Sequence, residues 1–204
     1  MLRNVYQSGI LTVLNSASSH PLQLWAVAQP VLVEGTRVAV ELDSDIGENV
    51  VTLESTDLAT TFVTCPRTAS ETLGVKLPYM FLLVKCLDRL FSFEVEALDD
   101  RGIVRRLRAS KYEVSAKIED GISVVPLRLD DGCWNYLTLD IALLLQGAFG
   151  ARYQETSRVT FHASAKLRVV GFADRVVPED QLPKELRLYC SVSNDDNNDS
   201  KLAG

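Results

Sequence analysis

The sequence has few residues of the kinds that carry catalysis. Only two histidines occur in 204 residues, His20 and His162. Neither lies in a nucleophile or metal-binding motif, and no glycine-rich phosphate loop or dinucleotide fingerprint is present. His20 precedes a proline in a serine-rich turn, and His162 falls on the polar side of a strand pattern. We therefore expect His162 to be solvent-exposed, and the protein not to be an enzyme.

Cysteine is also sparse, with four residues in the chain. The separations between them are too wide for a paired metal knuckle or a redox motif. We expect them to behave as small buried apolar residues in a reducing compartment, and we expect no cofactor. They are Cys65, Cys86, Cys133 and Cys190.

Long hydrophobic runs are missing. The longest apolar stretch is residues 79–84, which is too short to span a bilayer. The run at residues 10–14 is too short for the apolar core of a signal peptide. We therefore expect a soluble intracellular protein with no membrane partner.

Positive charge is in deficit, with 21 Lys and Arg against 27 Asp and Glu. This balance argues against nucleic acid as a partner of the whole surface. Residues 1–98 carry 6 basic and 11 acidic side chains, whereas residues 99–190 carry 14 and 13. Seven acids lie between Glu34 and Asp57 against the single Arg37. Any anionic partner is therefore expected to dock on the C-terminal half.

The dominant periodicity of the sequence is two. Apolar and polar residues alternate from Arg158 to Val169, which predicts one long strand with a buried face and a wet basic face. Residues 91–98 and 103–109 flank Asp99-Asp100-Arg101-Gly102, which predicts a hairpin. Asp130-Asp131-Gly132 also reads as a turn rather than a calcium site. Further strands are predicted at 38–42, 50–54, 58–64, 73–77, 122–129 and 186–192.

Helical signal is confined to one place. Asp140 is a plausible N-cap for an apolar pattern at residues 141–148, and Gly150 is placed to end the helix. Pro178-Glu179-Asp180 predicts a single further turn. The pattern predicts a mainly β protein, an antiparallel β-sandwich (jelly-roll-like) with one short helix. We expect one domain over residues 1–192 and a disordered polar tail over 193–204.

Basic clusters are the strongest candidates for binding. Five cations and no acid lie between Arg101 and Lys111. On a strand, Arg106 and Arg108 share one face and Arg105 points to the other. If the strands share one sheet, these cations form a stripe for an acidic protein surface; the alternative is a row of cross-strand ion pairs. The candidate partner-binding residues are Arg105, Arg106, Arg108, Lys111, Arg158, Lys166, Arg168 and Arg175.

Two tryptophans leave a second possibility open. Trp25 and Trp134 follow turn-like segments and could stack on a sugar in a carbohydrate-binding sandwich. The alternative is that each anchors a sheet from the buried side. A solvent-open cleft around either tryptophan would favour the sugar.

Together, many ordered segments resemble the cilia- and flagella-associated protein 20 family. The similarity is nearly collinear from Tyr6 to Tyr189 and weakest over residues 26–50. Its clearest blocks are residues 6–11, 21–25, 60–66, 73–78, 91–100, 105–112, 128–132, 155–163, 172–175 and 179–189.

This resemblance implies a non-enzymatic β-sandwich of the ciliary or flagellar axoneme. Such proteins bridge the A- and B-tubules at the inner junction of the doublet microtubule and support cilium assembly and motility. The implied partners are tubulin of the A-tubule and the parkin co-regulated protein, and the implied location is the cytoskeleton. The family's cations carry over onto Arg105, Arg106, Arg108, Arg158, Arg168 and Arg175.

The chain also departs from the family pattern. It is acidic overall, the segment after Trp25 lacks cations, and the helix after Asp140 reads Leu-Leu-Leu-Gln-Gly. Cys133 is an extra residue between Gly132 and Trp134. The alternative is therefore an intracellular sugar- or protein-binding adaptor outside the axoneme, and the apolar helix face is a candidate for an altered protein interface.

Overall fold

Two β-sheets face each other across one hydrophobic core. The computed structural model describes residues 1–30, 33–87, 90–119 and 121–188. The predicted tail over residues 193–204 lies outside these ranges, as does Cys190. The mainly β sandwich with one helix is confirmed.

The described residues form thirteen strands and one α-helix. The strands in chain order are β1 Ile10–Asn15, β2 Ala26–Ala28, β3 Arg37–Asp43, β4 Glu48–Glu54, β5 Phe62–Cys65, β6 Tyr79–Cys86, β7 Ser92–Asp99, β8 Val104–Ser110, β9 Lys117–Glu119, β10 Ile122–Pro126, β11 Trp134–Asp140, β12 Tyr153–His162 and β13 Ala165–Ala173. The helix is α1 Ile141–Phe149, and short 3₁₀ turns follow at Glu179–Gln181 and Lys184–Leu186.

The strand order defines which edges are open. The six-stranded sheet runs β11-β6-β13-β4-β3, with β1 pairing the other half of β13. The seven-stranded sheet runs β2-β5-β12-β7-β8-β10-β9. Most pairs are antiparallel, as predicted, but β10 runs parallel to β8. Strands β3 and β11 therefore form opposite edges of one sheet, with β1 a further edge strand beside β13, and β2 and β9 form the edges of the other.

The core lies between the two sheets, where alternate residues of each strand point inward. Leu82, Val84 and Leu167 of the six-stranded sheet share this core with Phe93 and Phe161 of the other. Their burial removes apolar surface from water, which supplies the main free energy of folding at about 25 cal/mol per Å². The alternate inward and outward orientation of residues along each strand explains the period of two in the sequence.

A second apolar cluster covers the outer face of the six-stranded sheet. Phe81, Leu83 and Val169 point outward there and pack under the C-terminal segment that carries Val177 and Leu182. Both faces of this sheet are thus buried along β6 and along residues 169–173 of β13, so these stretches read as apolar runs rather than as alternating patterns. The cluster fixes the C-terminal segment to the sandwich.

Helix α1 begins and ends as predicted. The Asp140 side chain accepts a hydrogen bond from the Leu143 N–H at 2.8 Å. Gly150 adopts φ 59°, a conformation that disfavours residues with a Cβ, and its N–H donates to the Gln146 carbonyl at 3.0 Å. Ile141 and Leu145 are its buried residues, whereas Leu143 points to solvent.

The predicted long strand at residues 158–169 is wrong, because it is two strands in different sheets. β12 ends at His162 in the seven-stranded sheet, and β13 begins at Ala165 in the six-stranded sheet. Ser164 at the corner is buried, and its hydroxyl donates to the Ser55 carbonyl at 3.2 Å. The alternation continues through the corner because Ala163 and Ala165 both face the shared core.

Other predicted elements need smaller corrections. The predicted strand at 58–64 shortens to Phe62–Cys65, and that at 122–129 ends at Pro126. The predicted strand at 73–77 is a single bridge from Val75 to Thr156. The segment predicted as a strand at 186–192 instead begins in the turn Lys184–Leu186, and its residues from 189 onward lie outside the described ranges. The hairpin of β7 and β8 is confirmed.

Candidate interaction surfaces

The cations of β8 meet a row of acids on β7. Arg108 opposes Glu94 across the pair of strands, and Arg106 opposes Glu96. Arg108 Nε donates to Glu94 Oε1 at 2.8 Å. Arg106 lies farther from its acids, at 3.5 Å from Glu94 and 3.6 Å from Glu96, and its side chain is 45 % exposed. The ion pairs across strands are therefore present, and Arg106 is the cation of β8 most open to a partner.

Two other predicted cations are held within the molecule. Arg105 points away from Arg106, as predicted, and its Nε donates to Asp99 Oδ2 at 2.9 Å. Its guanidinium lies 4.9 Å from the centre of the Phe149 ring, a distance that suits a cation–π contact. Lys111 pairs with Asp131.

Asp99 shows how the turn after β7 is held. Its Oδ1 accepts from the N–H groups of Arg101 at 2.9 Å and Ile103 at 2.8 Å. Burial alone would raise the pKa of Asp99, but these N–H groups and Arg105 together hold that pKa below its ordinary value. The predicted turn role of this acid is confirmed.

The Arg158 side chain holds the loop after β5 through hydrogen bonds to its backbone. Its guanidinium donates to the carbonyl oxygens of Pro66 at 2.8 Å, Ala69 at 3.0 Å and Glu71 at 3.1 Å. Arg158 satisfies carbonyl groups that strand pairing leaves free after β5. Its donors are therefore largely engaged inside the molecule.

Lys166 and Arg168 lie on the outer face of the other sheet, so the condition for a single basic stripe, that the strands share one sheet, is not met. Lys166 Nζ donates to Asp43 Oδ2 at 2.7 Å. Arg168 is only 2 % exposed and is not on a wet face. It donates to Glu48 at 2.5 Å, to Asn15 at 2.6 Å and to the Glu185 carbonyl at 3.1 Å. The C-terminal segment covers it.

The acidic segment at residues 34–57 supplies the counter-charges for these cations. Asp43 pairs with Lys166, Asp45 with Lys85, and Glu48 with Arg168. Two of these three pairs therefore join an acid of the N-terminal half to a cation of the C-terminal half. Arg175 remains well exposed, with its side chain 3.4 Å from Asp174.

Neither tryptophan is fully exposed. Trp25 is 2 % exposed, its Nε1 donates to the Val13 carbonyl at 2.9 Å, and its ring packs 5.9 Å from that of Phe161. Trp134 is half-buried against the second apolar cluster. Both tryptophans anchor the sheets, which removes the observation that would have favoured a sugar ligand.

His162 is half-buried rather than solvent-exposed. Its Nδ1 lies 3.2 Å from the Leu58 carbonyl oxygen, and its ring centre is 5.7 Å from that of Phe62. Burial lowers the pKa of His162, and the nearby Glu94 carboxylate opposes this shift only in part. The exposure prediction failed because the residues of β5 and its preceding loop cover this side of β12.

The cysteines divide into buried and exposed. Cys65 and Cys86 are buried, as predicted, and burial raises the pKa of Cys65 to about 12. Cys133 is exposed, which corrects the prediction for that residue.

Across the described ranges, no group of three or more His, Cys, Asp or Glu residues is arranged to hold a metal ion. Within the same ranges, no helix is long and apolar enough to cross a bilayer.

Two apolar depressions lie at opposite edges of the sandwich. The first, named here the β3 cleft, has a volume of about 450 Å³ and is lined by Pro21, Leu22 and Val40 with Arg67 at its rim. The second, named here the α1 groove, has a volume of about 460 Å³ and lies between α1 and the edge formed by β9 and β10. Its lining includes Ile118, Val125, Leu143, Leu144, Gly147 and Ala148.

Sequence reasoning singled out only one of these depressions. The apolar face of the helix was a candidate interface, and Leu143 is indeed 66 % exposed. The β3 cleft was missed, although Val38, Val40 and Leu42 lie at alternate positions and so share one face of a strand. The sequence does not show that β3 is an edge strand, because its position depends on the order of strands in the sheet. It therefore does not show that Val40 and Leu42 are left partly exposed there.

These features define a class: a mainly β sandwich whose described residues pair many of their charges internally. Its exposed features include an arginine-bearing sheet face and two apolar depressions. Residues 1–190 match the CFA20 domain. The chain therefore belongs to the CFA20 domain family, as its resemblance predicted.

Full-length relatives support this assignment. The protein named Cilia- and flagella-associated protein 20 of Chlamydomonas reinhardtii is 38 % identical over 94 % of this chain and 98 % of its own length. The protein of the same name from Caenorhabditis elegans is 38 % identical over 94 % of this chain and 92 % of its own length. Among solved structures, a family 11 carbohydrate-binding module from Clostridium thermocellum aligns over 85 % of this chain and all of its own, with a TM-score of 0.44 and 9 % identity. That likeness is too distant to bear on ligands.

Proposed function

We propose that this protein is a non-enzymatic structural component of cilia or flagella. The observation that carries the proposal is the whole-length relationship to proteins named cilia- and flagella-associated, which covers 94 % of this chain. We further propose that it bridges the A- and B-tubules at the inner junction of the doublet microtubule. The proposed partners are tubulin of the A-tubule and the parkin co-regulated protein.

A bridge needs two separate contacts on one stiff body. The outer face of the seven-stranded sheet offers Arg106, the cation of β8 most open to solvent. The acidic surface of tubulin is the proposed partner of this face, because an exposed guanidinium is attracted to carboxylates. Continuous pairing from β12 through β7 to β8 gives this face a fixed shape.

The second contact of the bridge is the α1 groove. Leu143 and Ile118 are exposed at its rim, at 66 % and 57 %. An apolar surface of this kind is stabilised by contact with another protein, since the contact removes it from water. We assign the junction partner to this groove because it lies at the edge of the sandwich formed by α1, β9 and β10, separate from the arginine face.

The two contacts differ in their response to salt, which makes the proposal testable. A tagged copy should localise to the axoneme and remain with isolated doublets at low salt. Arg106→Ala should lower the salt concentration at which the protein is released, because the tubulin contact is electrostatic. Arg152→Ala is the matched control, since Arg152 is 82 % exposed and lies outside the proposed face.

Leu143→Lys tests the second contact. It should reduce retention at all salt concentrations, because apolar contacts persist as salt rises. A protein that is freely soluble in cells with intact flagella, with no pool bound to doublets, would contradict the proposed function. Unchanged release of both variants would contradict the assignment of the two faces.

A further inference from the structure

The β3 cleft lies between elements of the two sheets, and the proposed function leaves it without a partner. Val40 lies on β3, an edge strand of the six-stranded sheet. Pro21 and Leu22 precede β2, an edge strand of the seven-stranded sheet, and Arg67 follows β5, which pairs with β2. The volume of about 450 Å³ falls within the range of binding clefts, roughly 300–1,000 Å³.

The polar groups that line the β3 cleft are donors of hydrogen bonds. They belong to His20, Gln23 and Arg67, and among the described residues the lining includes no acid. Arg67 is exposed, and within the part of the chain that the structure describes its guanidinium has no hydrogen bond or ion pair. The cations of β8 and β13, by contrast, pair with acids. An anionic group at this cleft therefore meets an available guanidinium and no opposing carboxylate in the described lining.

The acids of β3 do not cancel this charge, because they lie on the other face of the strand. Glu41 accepts from the Thr52 hydroxyl at 2.7 Å, and Asp43 accepts from Lys166 Nζ at 2.7 Å. Side chains alternate between the faces of a strand, so Val40 points to the side opposite these two acids. The cleft thus combines an apolar lining with a cationic rim in a chain whose net charge is −6.

The residues around the cleft are fixed before anything binds. Arg158 donates to the carbonyl oxygens of Pro66 at 2.8 Å and Thr68 at 3.2 Å, which flank Arg67 in the chain. The opposite wall ends at Trp25, which is only 2 % exposed. Binding to a preformed cleft costs little ordering of the protein, so even a small contact is favourable.

We propose that the β3 cleft binds an acidic segment of a partner protein. One large apolar side chain of that segment occupies the space between Leu22 and Val40, and a neighbouring carboxylate pairs with Arg67. The Gln23 amide and a His20 ring N–H donate to further oxygens of the segment. The apolar contact supplies affinity by leaving water, and the carboxylate supplies specificity for an acidic sequence.

The openness of the cleft favours a protein segment over a small molecule. Small-molecule sites bury about 70–90 % of their ligand. His20, Gln23, Val40 and Arg67 are all exposed, so the cleft encloses no ligand to that extent. A protein segment does not need enclosure, because the partner itself covers the remaining side. The proposal rests on the cleft alone and does not depend on the ciliary assignment.

Titration of the full chain with a synthetic peptide, followed by NMR, tests the proposal. The probe is acetyl-Gly-Glu-Phe-Glu-Gly-amide, whose aromatic ring shifts nearby methyl signals. The methyl signals of Leu22 and Val40 and the Arg67 Nε–H signal should move, with a dissociation constant on the order of 0.1–1 mM. Two control peptides, one with serine for phenylalanine and one with glutamine for both glutamates, should each bind at least about fivefold more weakly.

Two variants test the contributions of charge and apolar surface. Arg67→Glu should weaken binding of the probe by about fivefold or more, because it replaces an ion pair by repulsion. Arg128→Glu is the matched control, since Arg128 is also exposed and has no ion pair with a described residue. It should change binding by less than about twofold. Val40→Thr keeps the side-chain shape but adds a hydroxyl, and should weaken binding by about threefold.

Four results would overturn the proposal. The first is a probe that moves none of these signals up to about 5 mM. The second is equal weakening by Arg67→Glu and Arg128→Glu, which would show a general effect of charge. The third is 3-phenylpropionate binding as tightly as the peptide, which would make the cleft a small-molecule site. The fourth is a peptide that shifts the methyl signals of Leu143 in the α1 groove instead.

Discussion

The Arg168 guanidinium donates to the Glu48 carboxylate at 2.5 Å between Nε and Oε2, across 120 positions of the sequence. Arg168 lies on β13, and Glu48 is the first residue of β4. Another contact, to the Glu185 carbonyl, ties the C-terminal segment to the same guanidinium. One buried cation therefore joins β13 both to β4 and to the C-terminal segment.

Arg168→Ala should destabilise the fold by about 2–4 kcal/mol, because it removes a buried hydrogen-bonded charge and leaves its acceptors unpaired. The measurement is the free energy of unfolding from urea titration. Arg175→Ala is the control and should change it by less than about 0.5 kcal/mol, since the side chain is 67 % exposed. Equal effects of the two variants would contradict a structural role for Arg168.

Arg106 and Arg108 should differ in their effect on stability: replacing Arg108 should destabilise the fold, whereas replacing Arg106 should not. Arg108→Ala should cost about 1–2 kcal/mol of unfolding free energy, because Glu94 is 14 % exposed and loses its close partner. Arg106→Ala should stay within about 0.5 kcal/mol, because its acids lie 3.5 Å and 3.6 Å away. Thermal and urea unfolding of both variants check this. A larger loss for Arg106→Ala would show that this residue is structural.

His162 should make stability depend on pH. Its pKa in the folded state is lowered chiefly by burial, so the unfolded chain binds a proton more readily. The stability associated with neutral His162 is complete above about pH 6.5 and declines as the pH falls through that value, by at most about 1.4 kcal/mol per pH unit.

The variant His162→Gln should flatten this slope below about pH 6.5, the ordinary histidine pKa. Urea titrations at several pH values measure it. Asp43 and Asp99 have lowered pKa values in the folded state, so their contributions are lost only as the pH falls further, near and below about 4. An unchanged slope near pH 6 in the variant would exclude His162 as its source.

Trp25→Ala should destabilise the fold by about 3–5 kcal/mol, since it leaves a cavity beside Phe161 and frees the Val13 carbonyl. Trp25→Phe should cost less, because the ring is kept and only the hydrogen bond and part of the volume are lost. Urea titration measures both variants. A Trp25→Ala variant as stable as the wild type would contradict the core role of this residue.

Local features of the fold were predictable from the sequence because neighbouring residues alone fix them. Asp140 and Gly150 cap α1 through hydrogen bonds within a few residues of each end. The turn at Asp99 closes the hairpin of β7 and β8 through contacts of the same short range. Alternation located most strands, but it does not distinguish one long strand from two that meet at a corner, as at Ser164.

By itself, the sequence determined the helix, the β7–β8 hairpin, the sandwich class and the family, because these follow from periodicity, caps and the order of matching segments. Only the tertiary structure decided which sheet each strand joins and hence where each cation lies. Lys166 and Arg168 were expected beside Arg158, yet they lie on the opposite sheet and pair with acids of the N-terminal half. The physical reason is that strand pairing and buried ion pairs join residues more than a hundred positions apart. No local pattern records such partners.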